Sequence, residues 1–420
     1  MSMDRRALLG ALGLGAGALA AGPAQAQQAP PPPLADRITA RASEHRHRLA
    51  YDGERFSGPA WDLLVSEGRA SRHFCIGEEH GIAENPKLAA RLFAALAPSG
   101  YNHACVEISP PMAAELDRAA RGGVEGLRTL FADPGANVAF FGMREEAEWL
   151  ASVRSTVRGR SQAIWGLDYE VGGDRRIIAR LKAKRKPAGA AAAMQVLEDA
   201  SAASWAQYAQ THNPQFIFSF SGDPALAAAV RAAWPNADAE ASLMLETLEE
   251  TLAINRLWTS GQGWASNQRR AQFNRRNVRR LLHAEPDAKV MFKFGSSHMV
   301  RGLSHTQVLD IGTAVSEMAE DRGEKTFHVF VLPGAGRQVA QFNPAEWRYN
   351  PSSAGTYEDI GMTPLLSAAY PDAFTLIDLR PIRPLVFGAR HKALDADLVR
   401  VVHGFDALLV LSGSTPSSNL

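Results

Sequence analysis

"FCIGEEHGIAEN", Phe74 to Asn85, decides how this chain is read. An apolar run stops at Gly77, and Glu78, Glu79 and His80 follow at once, then a second glycine and the pair Glu84-Asn85. A run that is apolar throughout, instead of alternating with polar residues, belongs to a strand covered on both faces. The same pattern recurs in "HFCIG" (73–77), "HACVEI" (103–108), "AIWGLD" (163–168), "KVMFKFG" (289–295), "FHVFVLP" (327–333), "FTLIDL" (374–379) and "ALLVLS" (407–412). Helical patterns separate several of these runs, among them "NPKLAARLFAALAPSG" and "HTQVLDIGTAVSEMAEDRG". In the first, Pro86 stands near the helix start and Gly100 just past its end. Strand–helix–strand repetition predicts an α/β fold, with a largely parallel central sheet flanked by helices.

The pattern changes between Asp174 and Pro286. "AAAAMQVLEDASAASWAQYAQ", "DPALAAAVRAAW", "ADAEASLMLETLEETLAINRLW" and "QRRAQFNRRNVRRLLHAE" read as consecutive helices. The expected organisation is therefore an α/β core from 71–173 and 287–420, interrupted by an all-helical insertion over 174–286. Trp205, Trp234, Trp258 and Trp264 lie in the insertion and are expected to fill helix contacts; lining a cleft against the sheet is the other placement.

Upstream, "MSMDRRALLGALGLGAGALAAGPAQAQQAP" pairs Arg5 and Arg6 with a small, apolar stretch and ends on "AQA", a small-x-small cleavage pattern. Residues 1–26 read as an export signal of the twin-arginine type, which would place the mature chain in the periplasm or outside the cell. Residues 27–70 read as a Pro-rich linker and N-terminal helices, one around Leu34 to Leu49 that carries a solvated His45 and His47.

At 420 residues the chain has length for one large domain with an insertion, or for two domains. The formal net charge of +1 leaves no basic surplus for a nucleic-acid partner. Outside the export segment no run reaches the roughly 18 apolar residues that span a bilayer. Cys75 and Cys105 each sit inside an expected strand and read as unpaired core thiols. "GxxxxGK[ST]", a strand-linked "GxGxxG", "GxSxG", "HExxH" and "CxxCH" are all absent from the mature region, which argues against nucleotide enzymes, nucleophile-elbow serine hydrolases, zincins and covalent haem.

Ligands in parallel α/β folds bind beyond the carboxyl ends of the strands. Those ends deliver Glu78, Glu79 and His80, then Glu107 in "HACVEISP", Asp168 and Glu170 in "WGLDYE", and His298 and Arg301 in "KFGSSHMVRG". Glu78 and His80 face the same way on extended backbone, with Glu79 opposite. A carboxylate beside an imidazole holds one tautomer and raises its basicity, which suits activation of water; a second histidine suits protonation of a leaving group. Arg301 is positioned to meet developing negative charge. Two histidines and two carboxylates, Glu78, His80, Glu107 and His298, are also a reasonable ligand set for a divalent metal. Taken singly, each has a plain structural reading: a strand-end histidine, a helix cap at Asp168, an ion-pair partner in Arg301. Lys293 lies inside a strand and reads as either snorkelling or paired with a buried acid.

"IGEEHG", "CVEIS", "WGLDYE" and "KVMFKFGSSHMVRG", in this order, resemble the erythromycin esterase-like proteins, whose superfamily includes the ChaN-like haem-binding proteins and the TIKI/TraB-like metalloproteases. "QRRAQFNRRNVRRLL", "DIGTAVSEMAEDRGEKTFHVFVLPG" and "GFDALLVLSGSTP" extend the resemblance over roughly Arg72 to Pro416. It implies an active site of Glu78, His80, Glu107 and His298, with Arg270 and Asn277, like Asp168 and Arg301, on the substrate side. It implies hydrolysis of an ester or lactone by histidine-activated water, without an acyl-enzyme. The chain departs from the esterase pattern in two places: one residue separates Glu78 from His80 where two are usual, as in the ChaN-like "GE-x-H", and the usual Arg-Asp pair is Arg270-Ala271. The expectation is a hydrolase of small molecules that needs no cofactor. Non-catalytic haem or iron binding and metal-dependent hydrolysis or peptidase activity stand as the alternatives.

Overall fold

In the computed structural model, residues 32–420 are described, apart from 137, 139, 140, 356 and 389–393. The export signal expected over 1–26 lies outside them. All seven apolar runs are strands of one sheet. In chain order the strands are β1 (Arg46–Tyr51), β2 (Phe56–Ser57), β3 (His73–Glu78), β4 (Tyr101–Val106), β5 (Ile164–Gly166), β6 (Lys289–Gly295), β7 (Thr326–Pro333), β8 (Gln338–Asn343), β9 (Arg348–Ser353), β10 (Phe374–Asp378) and β11 (Ala407–Leu411). The main sheet runs β2-β1-β10-β11-β7-β3-β6-β4-β5. From β11 to β5 every pairing is parallel, and β10, β1 and β2 extend that block antiparallel.

Helices cover both faces, which is why the strands are apolar on both. Along β3, Phe74 and Ile76 pack into the core on one face, with Leu88 and Leu92. Cys75 faces the other core, with Cys105, Phe292 and Phe294. Both cysteines are buried and unpaired. The helix Glu84–Leu96 returns the chain from β3 to β4, and Gly100 ends that passage at φ 98°.

Two expectations need correction. The N-terminal helix is Leu34–Glu44 and stops before His45. Arg46–Tyr51 then pairs with β10, placing His47 opposite Leu376 on a sheet strand instead of on a helix. The edge of β10 offers unpaired backbone groups, and satisfying them outweighs local helix propensity. The segment 46–57 therefore belongs to the sheet and not to a run of N-terminal helices. The second correction is the hairpin β8–β9, which forms a separate two-stranded sheet that no apolar run announced.

Among the described residues, 174–286 holds helices only, the long ones being Ala188–Thr211, Ala239–Thr259 and Gly263–Ala284. Insertion and core form one compact unit from Leu34 to Leu420. Trp205 and Trp234 are buried, as helix contacts require; Trp258 and Trp264 are exposed and fill none.

Candidate active site

Glu78 is the last residue of β3 and 5% exposed. Its Oε1 meets His80 Nδ1 at 2.9 Å, so the two side chains share a face as the i, i+2 spacing requires. Asn85 Nδ2 donates to the other oxygen. Lys293 of β6 donates from Nζ to Glu78 Oε1 at 2.7 Å and to Glu146 Oε1 at 2.6 Å. The lysine is thus paired with buried acids. Glu146 belongs to the helix Arg144–Thr156.

Glu107 follows β4 and is the hub. Its Oε2 accepts from the Gly295 amide at 2.7 Å and lies 3.4 Å from His80 Nε2. Its Oε1 accepts from Arg270 Nη2 at 2.7 Å and lies 3.3 Å from His298 Nε2. The two histidines, from different strand ends, therefore converge on one carboxylate. Gly295 leaves room there: a Cβ would stand 3.1 Å from His80 Nε2, closer than ordinary contact, and 3.4 Å from Glu107 Oε2. His298 Nδ1 meets Asp310 Oδ2 at 2.7 Å. Asp310 is also the N-cap of the helix Ile311–Glu320, accepting from the Ile311 amide. Arg270, from the insertion, donates through Nε to Asp168 Oδ1 at 2.9 Å and lies over the Tyr169 ring at 4.8 Å.

Charge follows this geometry. Burial pulls His80 downward, but the hydrogen bonds to Glu107 and Glu78 outweigh it and raise the imidazole to about 10. For His298, burial and Arg270 act downward, and Glu107 and Asp310 outweigh them, again to about 10. Burial pushes Glu107 up, yet the two histidines hold it well below the usual carboxylate range. Burial raises Glu146 to about 7 despite Lys293. Each imidazole has Nδ1 fixed by a carboxylate, so both present Nε2 to Glu107.

The remaining sequence candidates divide. Asp168 joins the site through Arg270, not as a helix cap; its Oδ1 accepts from the Tyr169 amide. Arg301 does not join: it donates to Asp406 at 2.6 Å and to the Gly404 carbonyl. The expected oxyanion role for it is corrected, because the short helix Ser296–Met299 after β6 turns the chain toward β11 before Arg301 is reached. Asn277 is buried, donates to the Leu167 carbonyl at 2.7 Å and accepts from Arg280, so it ties the insertion to the end of β5 instead of facing a substrate. Glu79 points away, among Phe330, Tyr357 and Ser296. Sequence reasoning missed Asp310, Glu146 and Tyr169. Asp310 carries a signal, as an acid before an apolar helical stretch, but that signal reads as a cap.

A metal ion and Arg270 would compete for the same groups. Glu107, Asp168 and His298 offer atoms within 4.8 Å of one another. Arg270 already bridges the two carboxylates and supplies the cation there, so a metal ion would have to displace it. The set Glu78, His80, Glu107, His298 is likewise occupied by contacts to Lys293, Asp310 and Arg270.

No protein-family model matches the chain, and no curated protein does. Solved structures do match, and they show the fold. An erythromycin esterase, a mutant of EreC in its open conformation, shares 18% identity, covering 88% of this chain and 98% of that one at a TM-score of 0.61. A succinoglycan biosynthesis protein shares 12%, covering 91% and 98%, at 0.59. A Bacillus cereus protein shares 13%, covering 92% and 99%, at 0.57. The chain has the erythromycin esterase-like fold.

Proposed function

We propose that the chain is a hydrolase that cleaves an ester or lactone with water activated at His80. The observation that carries this reading is the convergence of His80 Nε2 and His298 Nε2 on Glu107, each ring oriented from behind by its own carboxylate. In its neutral form His80 takes a proton from water as the oxygen attacks the carbonyl carbon. Charge passes to the carbonyl oxygen, and Arg270 is the guanidinium in the cluster to meet it. When the tetrahedral adduct collapses, the leaving alkoxide takes a proton from His298. His80 ends protonated and His298 neutral, and Glu107 between them is the group through which the proton returns. Lys293 and Glu146 fix Glu78, and Asp310 fixes His298.

The erythromycin esterase-like fold supports the reaction class. Purified protein incubated with a panel of esters and lactones, beside His80→Ala, tests it. Turnover by wild type with a loss of about 10²-fold or more in the variant is expected; equal turnover by the two overturns the assignment. The paired arginines and the "AQA" site support export by the twin-arginine route. N-terminal sequencing of protein recovered outside the cytoplasm is expected to start after Ala26.

A further inference from the structure

Glu107, Asp168 and Arg270 form the polar end of a chamber of about 270 Å³. Its walls come from three parts of the chain: Ile108 and Val171 after β4 and β5, Pro214 and Phe220 from the insertion, and Phe342 and Pro344 from the β8–β9 hairpin. The hairpin is tied down along its length. The Ala340 amide donates to the Gly81 carbonyl at 2.9 Å, Tyr208 Oη donates to the Pro344 carbonyl at 2.7 Å, and Trp347 packs edge-on against Trp205 at 5.5 Å. Gly81, at φ 83°, permits that approach, because a Cβ there would lie 2.1 Å from the Ala340 carbonyl oxygen. A wall held at both a strand and the tip gives the chamber a defined size.

Most polar atoms of the charged groups that line the chamber are engaged within the protein, with Arg270 Nη1 left to face the carbonyl. Arg270 bridges Glu107 and Asp168, and Glu170 accepts from Ser109 Oγ and from the Gly172 and Gly173 amides. A charged or heavily hydroxylated substituent would find little to bond there and would lose its hydration. At about 30 Å³ per non-hydrogen atom, water's share of its liquid, the space holds on the order of ten such atoms.

We propose that the substrate is an uncharged short-chain or monocyclic ester or lactone whose scissile carbonyl lies at Glu107 and whose aliphatic or aryl substituent fills the space between Phe220 and Phe342. This rests on the hydrolase reading and adds a size and polarity limit to it. The tethered hairpin leaves a macrocycle several times that volume no room between Phe220 and Phe342.

The test uses the full-length mature protein and γ-butyrolactones with alkyl substituents from methyl to dodecyl, beside a 14-membered macrolide. Burial of each added methylene is worth about a fourfold gain in kcat/KM. The expected profile climbs by that factor and breaks near the chain length that fills the chamber, with no macrolide turnover. Phe342→Ala lengthens the preferred chain, and Val171→Phe shortens it; either shift suffices should the other variant misfold. A flat series, or a macrolide preferred over the alkyl lactones, overturns the proposal. Calorimetric binding of the matching alkyl lactams separates this claim from the reaction. Lactam affinity graded by chain length, with no lactone turned over, keeps the chamber and removes the hydrolase reading. No lactam binding together with no turnover overturns both.

Discussion

Replacing Lys293 by Met removes the cation that holds two buried carboxylates together. Lys293 is 2% exposed, and its Nζ lies 2.7 Å from Glu78 and 2.6 Å from Glu146. At an effective dielectric of about 20 each such contact is worth roughly 6 kcal/mol before desolvation is subtracted. Methionine keeps most of the side-chain volume, so packing is nearly conserved. What changes is that Glu146 loses its cation while Glu78 keeps His80 and Asn85, and breaking a buried pair in this way costs about 3–5 kcal/mol. With an unfolding entropy of about 2.1 cal/mol/K per residue over this compact unit, the melting temperature falls by about 4–6 °C. Adding Glu146→Gln removes the carboxyl left without a cation and is expected to restore about 2 kcal/mol. Urea unfolding followed by tryptophan fluorescence, with the four-variant cycle, measures both. A Lys293→Met protein within about 1 kcal/mol of wild type, or a double variant no more stable than the single, would refute the reasoning.

Gly295→Ala pushes a methyl group to 3.1 Å from His80 Nε2 and is expected to lower kcat by about 10²-fold while circular dichroism stays unchanged. Asp310→Asn keeps an acceptor for the Ile311 amide but removes the charge behind His298, lowering that imidazole by about 1–3 pH units; the alkaline limb of the rate profile, set by loss of protonated His298, moves down by the same amount. His80 and His298 stand near 10 in the folded chain against about 6.5 unfolded, so their contribution to stability is full below about pH 6.5 and is lost as pH rises toward 10. Over pH 7 to 9 a melting scan is therefore expected to fall, while kcat/KM, which needs neutral His80, climbs about tenfold per unit.

The parts of the fold that could be read from sequence are those whose strands are covered twice. "HFCIG" and "KVMFKFG" are apolar throughout because helices lie on both faces, and that signature survives without knowledge of the neighbours. β1 carries three partly or fully polar positions in a row, Arg46, His47 and Arg48, and takes strand form through its pairing with β10. β8 and β9 are half exposed and gain order from Gly81, Tyr208 and Trp205, all distant in sequence.

The candidate site divides on the same physical line. Glu78, His80, Glu107 and His298 sit at or within a few residues of strand ends, where a parallel sheet opens its cleft, so position alone nominates them. Arg301 satisfies the same positional rule and fails, because the rule does not see Asp406 waiting across the sheet. Glu146 and Asp310 stand at helix starts, where acids are ordinary for reasons of capping and dipole, and their second role depends on which side chain faces them. Arg270 reaches Asp168 and Glu107 from the insertion, a contact that only tertiary packing creates.

The central claim is that water, and no side chain of this protein, attacks the substrate carbonyl beside His80. Single-turnover hydrolysis of a good lactone or ester in ¹⁸O-enriched water, read by mass spectrometry of product and intact protein together, tests it most directly. The account predicts one ¹⁸O in the product acid from the first turnover and an unmodified protein mass throughout. An acyl adduct on the protein, formed and lost at the rate of turnover, would contradict it.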